Sequence, residues 1–456
     1  MKYAVVLMDG ASDYPIEKLG RKTPLQYAQK PFIDFLSARG EMGIVKTIPD
    51  GFSPGSDIAN LSVMGYNPEK YYSGRSSLEA VSMGVDLSEE DVTFRCNLVT
   101  LSEGEGDFFD KVMVDYSSDE ISSEEAKILI DYIAKRLGKK LKIPGFKFYP
   151  GVSYRHVIVW RNGPLALTLT PPHDIQGQKI SPYLPRGEGE SLITDIIRES
   201  YELLNSHPLN EKRRKKGLKP ANSIWIWGEG RKPMLDSFYD KYGVRGSVIA
   251  AVDLIKGIGI CAGLDSVRVK GVTGNLNTNF EGKARKALEE LLRGKDFVYV
   301  HIEAPDECSH HGDLEGKIKA IELIDKKVVG ILWKGLEKMV RNYRIMILPD
   351  HATPLSVRTH VSNPVPFLIY DSALDRCGSE SLGSPESNTG AKDITNIKNM
   401  KSEVKKRVKS KIRDSKEEFF GCESGFNEVN ARRSGIFIKE GYRLMDHFLG
   451  KNEIKY

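Results

Sequence analysis

Short apolar runs, each bordered by carboxylates or histidines, recur along the chain and set out a sheet before any other feature is considered. Tyr3–Met8 (YAVVLM) is rich in β-branched residues and ends in Asp9-Gly10, the pattern of a buried parallel strand with a polar group at its carboxyl end. Phe297–Ile302, Tyr343–Leu348 and Val365–Tyr370 read the same way. Between the first two of these, Ile318, Ile321, Ile324, Val328 and Ile331 or Leu332 fall close to helical period. That spacing predicts one helix packed on the sheet, with Lys and Glu on its other face. A helix is also expected over Pro24–Arg39 and a strand over Gly43–Thr47. Another helix is expected to begin at Ser56-Asp57, after the Pro54-Gly55 turn. Val248–Val252 reads as a strand with Leu254–Cys261 as its sequel. Strands alternating with helices predict an α/β core.

The pattern changes near Leu87–Asp91, where the sequence turns acidic and turn-like. The predicted organisation is a discontinuous core, 1–88 and 245–456, with a smaller α/β (α+β) domain inserted over 89–244. Within the insert, Asp91–Thr100 and Phe146–Trp160 have strand character. Ser122–Gly138 reads as a helix with Ser122 as N-cap and Glu124-Glu125 in its first turn. Leu192–Ser206 is an amphipathic helix, and Glu211–Lys219 a solvated helix end. Beyond Tyr370 the pattern breaks. Cys377–Glu418 is poor in apolar residues and reads as a flexible insertion or a solvated helix that contributes neither ligand nor substrate contact. Phe437–Leu449 is expected to close the fold as a terminal helix.

Composition narrows the class without naming it. The 456 residues are 28% charged and 40% hydrophobic, a globular balance. A formal charge of +5 with no basic, aromatic-interleaved stripe gives no case for nucleic acid. The 5 cysteines (Cys96, Cys261, Cys308, Cys377, Cys422) have no C-x-x-C spacing, which favours free thiols in a reducing compartment. No run approaches a membrane span, and the chain opens on a strand-like run rather than a signal peptide, so a cytoplasmic setting is expected.

Candidate chemistry concentrates between His301 and His360, where five of the 9 histidines fall. Asp306 and His310 follow the first apolar run, Asp350 and His351 follow the second, and His360 precedes the third. Carboxylate mixed with imidazole suits Mn²⁺, Zn²⁺ or Fe²⁺ better than Ca²⁺. Asp9 is either a further ligand or the cap of its turn. Ser56 is either an N-cap or a hydroxyl poised at a helix N-terminus, where phosphate also binds. Cys308, between Asp306 and His310, is a candidate ligand or an ordinary loop residue. Arg95 and Asn97 alternate along one strand and so could share an anion. Other candidate substrate contacts are Arg155 and His156, His173 and Asp174 in the loop TPPHDIQGQ, Arg186, Arg231 and Lys256. Gly228–Arg231 lacks the Walker pattern.

Taken together, VVLMDG, RKTPLQYA, PGSDIANLSVMGYNPEKYYSGR, FRCNLVT, VTGNLNTNF, EAPDECSHHGD, LPDHATP and THVSNPVPF resemble the cofactor-independent phosphoglycerate mutases of the archaeal type, within the alkaline phosphatase superfamily. The resemblance covers most of the chain except 377–418. It implies an alkaline-phosphatase-like core with a mostly parallel sheet flanked by helices, and two divalent ions. Mn²⁺ is foremost among these, with Co²⁺, Zn²⁺ or Mg²⁺ as substitutes. Asp306, His310 and His360 would hold one ion, and Asp9, Ser56, Asp350 and His351 the other. Ser56 would be the nucleophile, passing through a phosphoserine without 2,3-bisphosphoglycerate, in a step of glycolysis and gluconeogenesis. The partner implied is a small phosphorylated substrate, gripped by cations of the second domain, with no nucleic acid and no membrane. YPGVSYRH, TPPHDIQGQ and HIEAPDE also resemble a bacterial branch of proposed homoserine kinases, and a metal-dependent phosphatase is a further alternative. A binding protein without catalysis is disfavoured by retention of all seven metal-site residues.

Overall fold

The structure, a computed structural model, describes residues 1–375 and 425–451. The segment Cys377–Glu418, and the expectation attached to it, lie outside the described residues. Two compact units are formed: Met1–Lys70 with Asp236–Ile255 and Ala262–Tyr456, and Tyr71–Leu235 with Lys256–Cys261. The crossings thus fall earlier than the expected 88/89 and 244/245. Helix Arg75–Ser82 goes with the second unit because it packs there: Ser76 Oγ lies 2.7 Å from Thr93 Oγ1 and donates to the Thr93 carbonyl. Gly257 lets helix Asp253–Cys261 approach the same element, since a Cβ there would stand 2.0 Å from the Leu78 carbonyl oxygen.

The larger unit is built on an eight-stranded sheet in the order Asp265–Ser266, Gly246–Ile249, Phe297–Ile302, Lys2–Met8, Tyr343–Leu348, Val365–Asp371, Glu41–Val45, Phe437–Ile438. All four expected apolar runs are strands of it. The first five strands are parallel, and Val365–Asp371 runs antiparallel to both neighbours. This is the expected α/β core with a mostly parallel sheet. Its inner strands are buried on both faces, as parallel strands between helices are, while the edge strands Asp265–Ser266 and Phe437–Ile438 are partly exposed.

Several boundaries were set by neighbours rather than by period. The expected helix over Pro24–Arg39 is two helices, Pro24–Tyr27 and Pro31–Ser37. Pro31 has no N–H to donate and disfavours helical backbone at Lys30. The helix through Ile318 is Leu314–Ile324, a π turn over Asp325–Val329, then Gly330–Met339. Asp325 in that turn accepts from the Ile33 amide at 2.8 Å. One residue of its expected outer face, Lys317, is fully buried. Its Nζ donates to Asp13 Oδ2 (2.7 Å) and to the Thr353 carbonyl (2.9 Å), tying two loops together. The terminal helix is confined to Arg443–Phe448. Phe437–Ile438 instead adds a parallel strand beside Glu41–Val45, since an open sheet edge outcompetes a marginal helical turn.

The smaller unit is an antiparallel sheet. Asp91–Leu101 pairs antiparallel with Arg155–Arg161, with Ser223–Arg231 and, at its end, with Met113–Asp115, and Phe146–Tyr149 extends the sheet beyond Arg155–Arg161. Helix Ser123–Leu141, with Ser122 accepting from the Glu125 amide as its N-cap, and helix Glu190–Asn205 contribute to its core. Among the described residues, no helix is long and apolar enough to cross a membrane.

Candidate metal centre

Strand direction explains why residues far apart in the chain converge. Asp9 follows Lys2–Met8, helix Ala304–His310 follows Phe297–Ile302, and Asp350-His351 follow Tyr343–Leu348. All three strands are parallel, so their carboxyl ends share one edge. Val365–Asp371 is antiparallel and starts at that edge, which brings His360 to it. Asp306 and His310 are one helical turn apart and face the same way.

Asp306 Oδ2 lies 3.1 Å from His310 Nε2 and 3.5 Å from His360 Nε2, and the two imidazole Nε2 atoms are 3.1 Å apart. His310 Nδ1 is 2.9 Å from the Arg358 carbonyl, which can only accept, so Nδ1 carries the proton and Nε2 faces the cluster. Alongside, His351 Nε2 stands 3.4 Å from Asp9 Oδ1, 3.5 Å from Asp350 Oδ2 and 3.0 Å from Ser56 Oγ. The structure therefore brings the seven expected residues to one edge of the sheet. Ser56 is the first residue of helix Ser56–Val63 and its side chain makes no cap, which leaves Oγ for the cluster.

Supporting contacts hold these side chains in place. Asn60 Nδ2 donates to Asp350 Oδ2 at 2.8 Å and receives the Tyr299 hydroxyl on its Oδ1 at 2.7 Å. Thr353 Oγ1 donates to Asp306 Oδ1 (2.6 Å) and lies 3.2 Å from His351 Nδ1, linking the two groups. Gly10, at φ +62°, admits no side chain, because a Cβ would stand 2.4 Å from Asp306 Oδ1. The Cys308 thiol is buried and pushed up to about 11 chiefly by that burial. Its Sγ is close to Gly316 on the next helix, so its place is in packing.

Burial, then the charges of Asp350, Asp306 and Glu303, hold the Asp9 carboxyl well above its usual range. Burial acts in the same direction on Asp306, but His310 and His360 outweigh it and hold that carboxyl well below the usual range. His310 is raised to about 9, chiefly by its bond to Asp306. Asp9 Oδ1 and His301 Nε2 are buried without a hydrogen-bond partner. Crowded carboxylates beside unpartnered buried donors and acceptors call for cations, and oxygen with imidazole suits Mn²⁺ or Zn²⁺. The residues fit divalent metal. Two groupings have all their ligand atoms within 4.8 Å of one another: Asp306, His351 and His360, and Asp9, His301 and Asp350. His301 is the residue the sequence reading passed over. Its only signal was membership of the histidine-rich stretch.

The smaller unit gathers some of the expected substrate contacts and separates others. Arg95 stacks its guanidinium 4.0 Å over the Trp227 ring while Nε donates to Glu79 Oε2. Burial is the chief cause lowering its pKa; Arg75 and Arg155 act in the same direction, so three guanidiniums share one neighbourhood. The His173 ring lies 5.4 Å from that of Trp227, with Asp174 beside it. Arg75, which bonds Glu79 from the other side, had no sequence signal beyond its i, i+4 spacing. Asn97 is buried, taking the Trp227 indole N–H at 3.0 Å. Arg186 donates to the Pro182 carbonyl from the exposed two-residue strand Arg186–Gly187, where a turn was expected, Arg231 is exposed at a strand end, and Lys256 lies on helix Asp253–Cys261.

His156 does not belong with the cations. It is 2% exposed, its Nδ1 accepts from the Gly151 amide, and burial pushes its pKa down to about 3. The folded unit thus holds a neutral imidazole that would take a proton near pH 6.5 once unfolded. Stability contributed by this group is complete above pH 6.5 and is lost as pH falls toward 3, at up to about 1.4 kcal/mol per pH unit. Urea unfolding at pH 7.5 and 5.5 is expected to show this loss, and His156→Gln to reduce the slope. An unchanged slope in the variant would refute the assignment.

Comparison with known proteins agrees with this architecture. Residues 37–210 match the family described as 2,3-bisphosphoglycerate-independent phosphoglycerate mutase. A protein of Geobacter sulfurreducens named probable 2,3-bisphosphoglycerate-independent phosphoglycerate mutase is 45% identical over 451 residues, covering 99% of this chain and 100% of its own. A Methanosarcina mazei protein named 2,3-bisphosphoglycerate-independent phosphoglycerate mutase is 51% identical over 371 residues, 81% of this chain and 90% of its own. Of solved structures, a Pyrococcus horikoshii protein superposes with TM-score 0.71 at 27% identity, covering 100% and 99% of the two chains. A cofactor-independent phosphoglycerate mutase of Thermoplasma acidophilum, with TM-score 0.59 at 23% identity and 99% coverage of each chain, has the same fold. The class is therefore the α/β fold of cofactor-independent phosphoglycerate mutases. The chain belongs to the 2,3-bisphosphoglycerate-independent phosphoglycerate mutase family.

Proposed function

We propose that this chain interconverts 3-phosphoglycerate and 2-phosphoglycerate without 2,3-bisphosphoglycerate, through a phosphoserine at Ser56. The observation that carries this reading is the end-to-end match to a relative of that name, over 99% of this chain. Asp306, His310 and His360 would hold one divalent ion, and Asp9, Ser56, Asp350 and His351 the other, Mn²⁺ being the metal proposed. When bound, such ions neutralise phosphoryl charge and lower the pKa of a serine hydroxyl. The Ser56 oxygen attacks phosphorus in line, forming its O–P bond as the bond to the glycerate oxygen breaks. The glycerate is retained while its two hydroxyls exchange places, and the second hydroxyl then takes the phosphoryl group from Ser56. Retention needs cations for the carboxylate, a role suited to Arg95 and Arg155, with His173 beside them. Water must be kept from the phosphoserine, or the enzyme becomes a phosphatase.

The test gives the purified Mn²⁺ enzyme 3-phosphoglycerate alone and, separately, ATP with homoserine. 2-Phosphoglycerate is expected from the first, with no bisphosphoglycerate required and little inorganic phosphate released. Phosphohomoserine from the second without mutase activity would overturn the reading, as would phosphate release as the main outcome.

A further inference from the structure

The ligand sets proposed above leave one buried imidazole at the cluster without a role. His301 lies on the central strand Phe297–Ile302 and is fully buried. Its Nε2 is 3.4 Å from Asp9 Oδ2 and 4.0 Å from Asp350 Oδ2. A histidine kept only for packing would find a partner for each ring nitrogen, yet Nε2, on the side of the two carboxylates, has none. Behind the ring, Glu303 Oε1 stands 3.3 Å from Nδ1. That carboxylate is anchored independently of the imidazole. It accepts from the Ala251 amide at 2.7 Å, from the Val252 amide at 3.2 Å, and from buried Lys283 Nζ at 2.7 Å. Lys283 also donates to the His301 carbonyl at 2.6 Å, fixing carboxylate and strand together.

We propose that His301 Nε2 is a further ligand of the ion held by Asp9 and Asp350, with Glu303 as the positioning residue that receives the Nδ1 proton in a hydrogen bond. A ligating histidine ordinarily donates its second N–H to a carboxylate, and Glu303 stands where that carboxylate belongs. Asp350 Oδ2 lies 3.5 Å from His351 Nε2 as well as 4.0 Å from His301 Nε2. Such separations are those of donors sharing one ion at bond lengths of about 2.0–2.2 Å. Asp9 turns Oδ1 toward His351 and Oδ2 toward His301, so its carboxylate lies between both imidazoles. Lys283 holds Glu303 in place as an acceptor and so selects the tautomer in which Nε2 is free to bind.

This inference rests on the two-metal reading but not on the identity of the substrate. The experiment loads the intact chain, labelled with ¹⁵N-histidine, with ¹¹³Cd²⁺ and counts the imidazoles coupled to cadmium. Four are expected: His301, His310, His351 and His360. Three, with His301 uncoupled, would overturn the inference and leave the two-metal reading standing; no coupling at all would sink both. Co²⁺ titration of His301→Gln gives a second readout, with at least about a tenfold loss of affinity expected for one ion. Wild-type affinity for both ions in that variant would refute ligation. Glu303→Gln, which keeps the shape but weakens the acceptor, is expected to shift the Nδ1–H resonance of the cadmium form. An unmoved resonance would remove Glu303 from the positioning role.

Discussion

Replacing Ser56 by alanine is expected to reduce turnover of 3-phosphoglycerate by about 10⁴-fold or more, while the protein still folds and still binds metal. The expectation follows from what Ser56 does and does not do in the fold. As the first residue of its helix it provides no side-chain cap, and the Asn60 amide bonds its carbonyl, which alanine keeps. Folding should therefore be nearly unaffected. Its hydroxyl oxygen, 3.0 Å from His351 Nε2, is the atom that the proposed route requires to attack phosphorus. Asp9, Asp350 and His351 are untouched by the substitution, so metal content should hold. A lost nucleophile removes a pathway rather than one contact among many. Residual activity above a tenth of wild type would correspond to a loss of only about 1.4 kcal/mol in the barrier and would rule out the covalent route. Steady-state turnover, elemental analysis and thermal unfolding of the same preparation check all three parts.

Stripping the metal is expected to abolish turnover, with recovery on addition of Mn²⁺. The same edge of the sheet holds Asp9, Asp306 and Asp350 together with four histidines, and much of this group is buried. Repulsion from Asp350 and Asp306, added to burial, keeps the Asp9 carboxyl well above its usual range. Removing the cations leaves that strain uncompensated, so the chelated protein should also unfold at a lower temperature than the loaded one. Ligands must give up their protons to bind, and His310 in the metal-free cluster holds its proton up to about pH 9, so apparent metal affinity should fall as pH drops from about 9. Full activity in a chelated sample shown to be metal-free would overturn the two-metal reading. A loaded and a chelated sample with equal unfolding temperatures would show that the cluster takes no ion tightly.

The strands of the core were legible because a strand buried on both faces leaves an uninterrupted apolar run, as in Tyr3–Met8 and Tyr343–Leu348. The site was legible because parallel strands put their carboxyl ends on one edge, so a polar residue just past such a run already has an address. Asp9, Asp306, Asp350 and His351 could be read in this way. His360 could be named, but only the reversal of Val365–Asp371 relative to Tyr343–Leu348 explains how it reaches the cluster. His301 was hidden for the converse reason. It lies within an apolar strand, and alternation says which face a side chain takes but not that Asp9 stands opposite. Helical period likewise could not say which sheet Arg75–Ser82 would cover, or that Lys317 would turn inward to Asp13. His156 reads as a cation beside Arg155, yet adjacent residues on a strand face opposite sides, and only one of the two was exposed. Local pattern determined which segments became strands and which polar groups bordered them. Strand direction, sheet edges and the burial of individual charges are relations between distant segments, and they were decided only when the chain was folded.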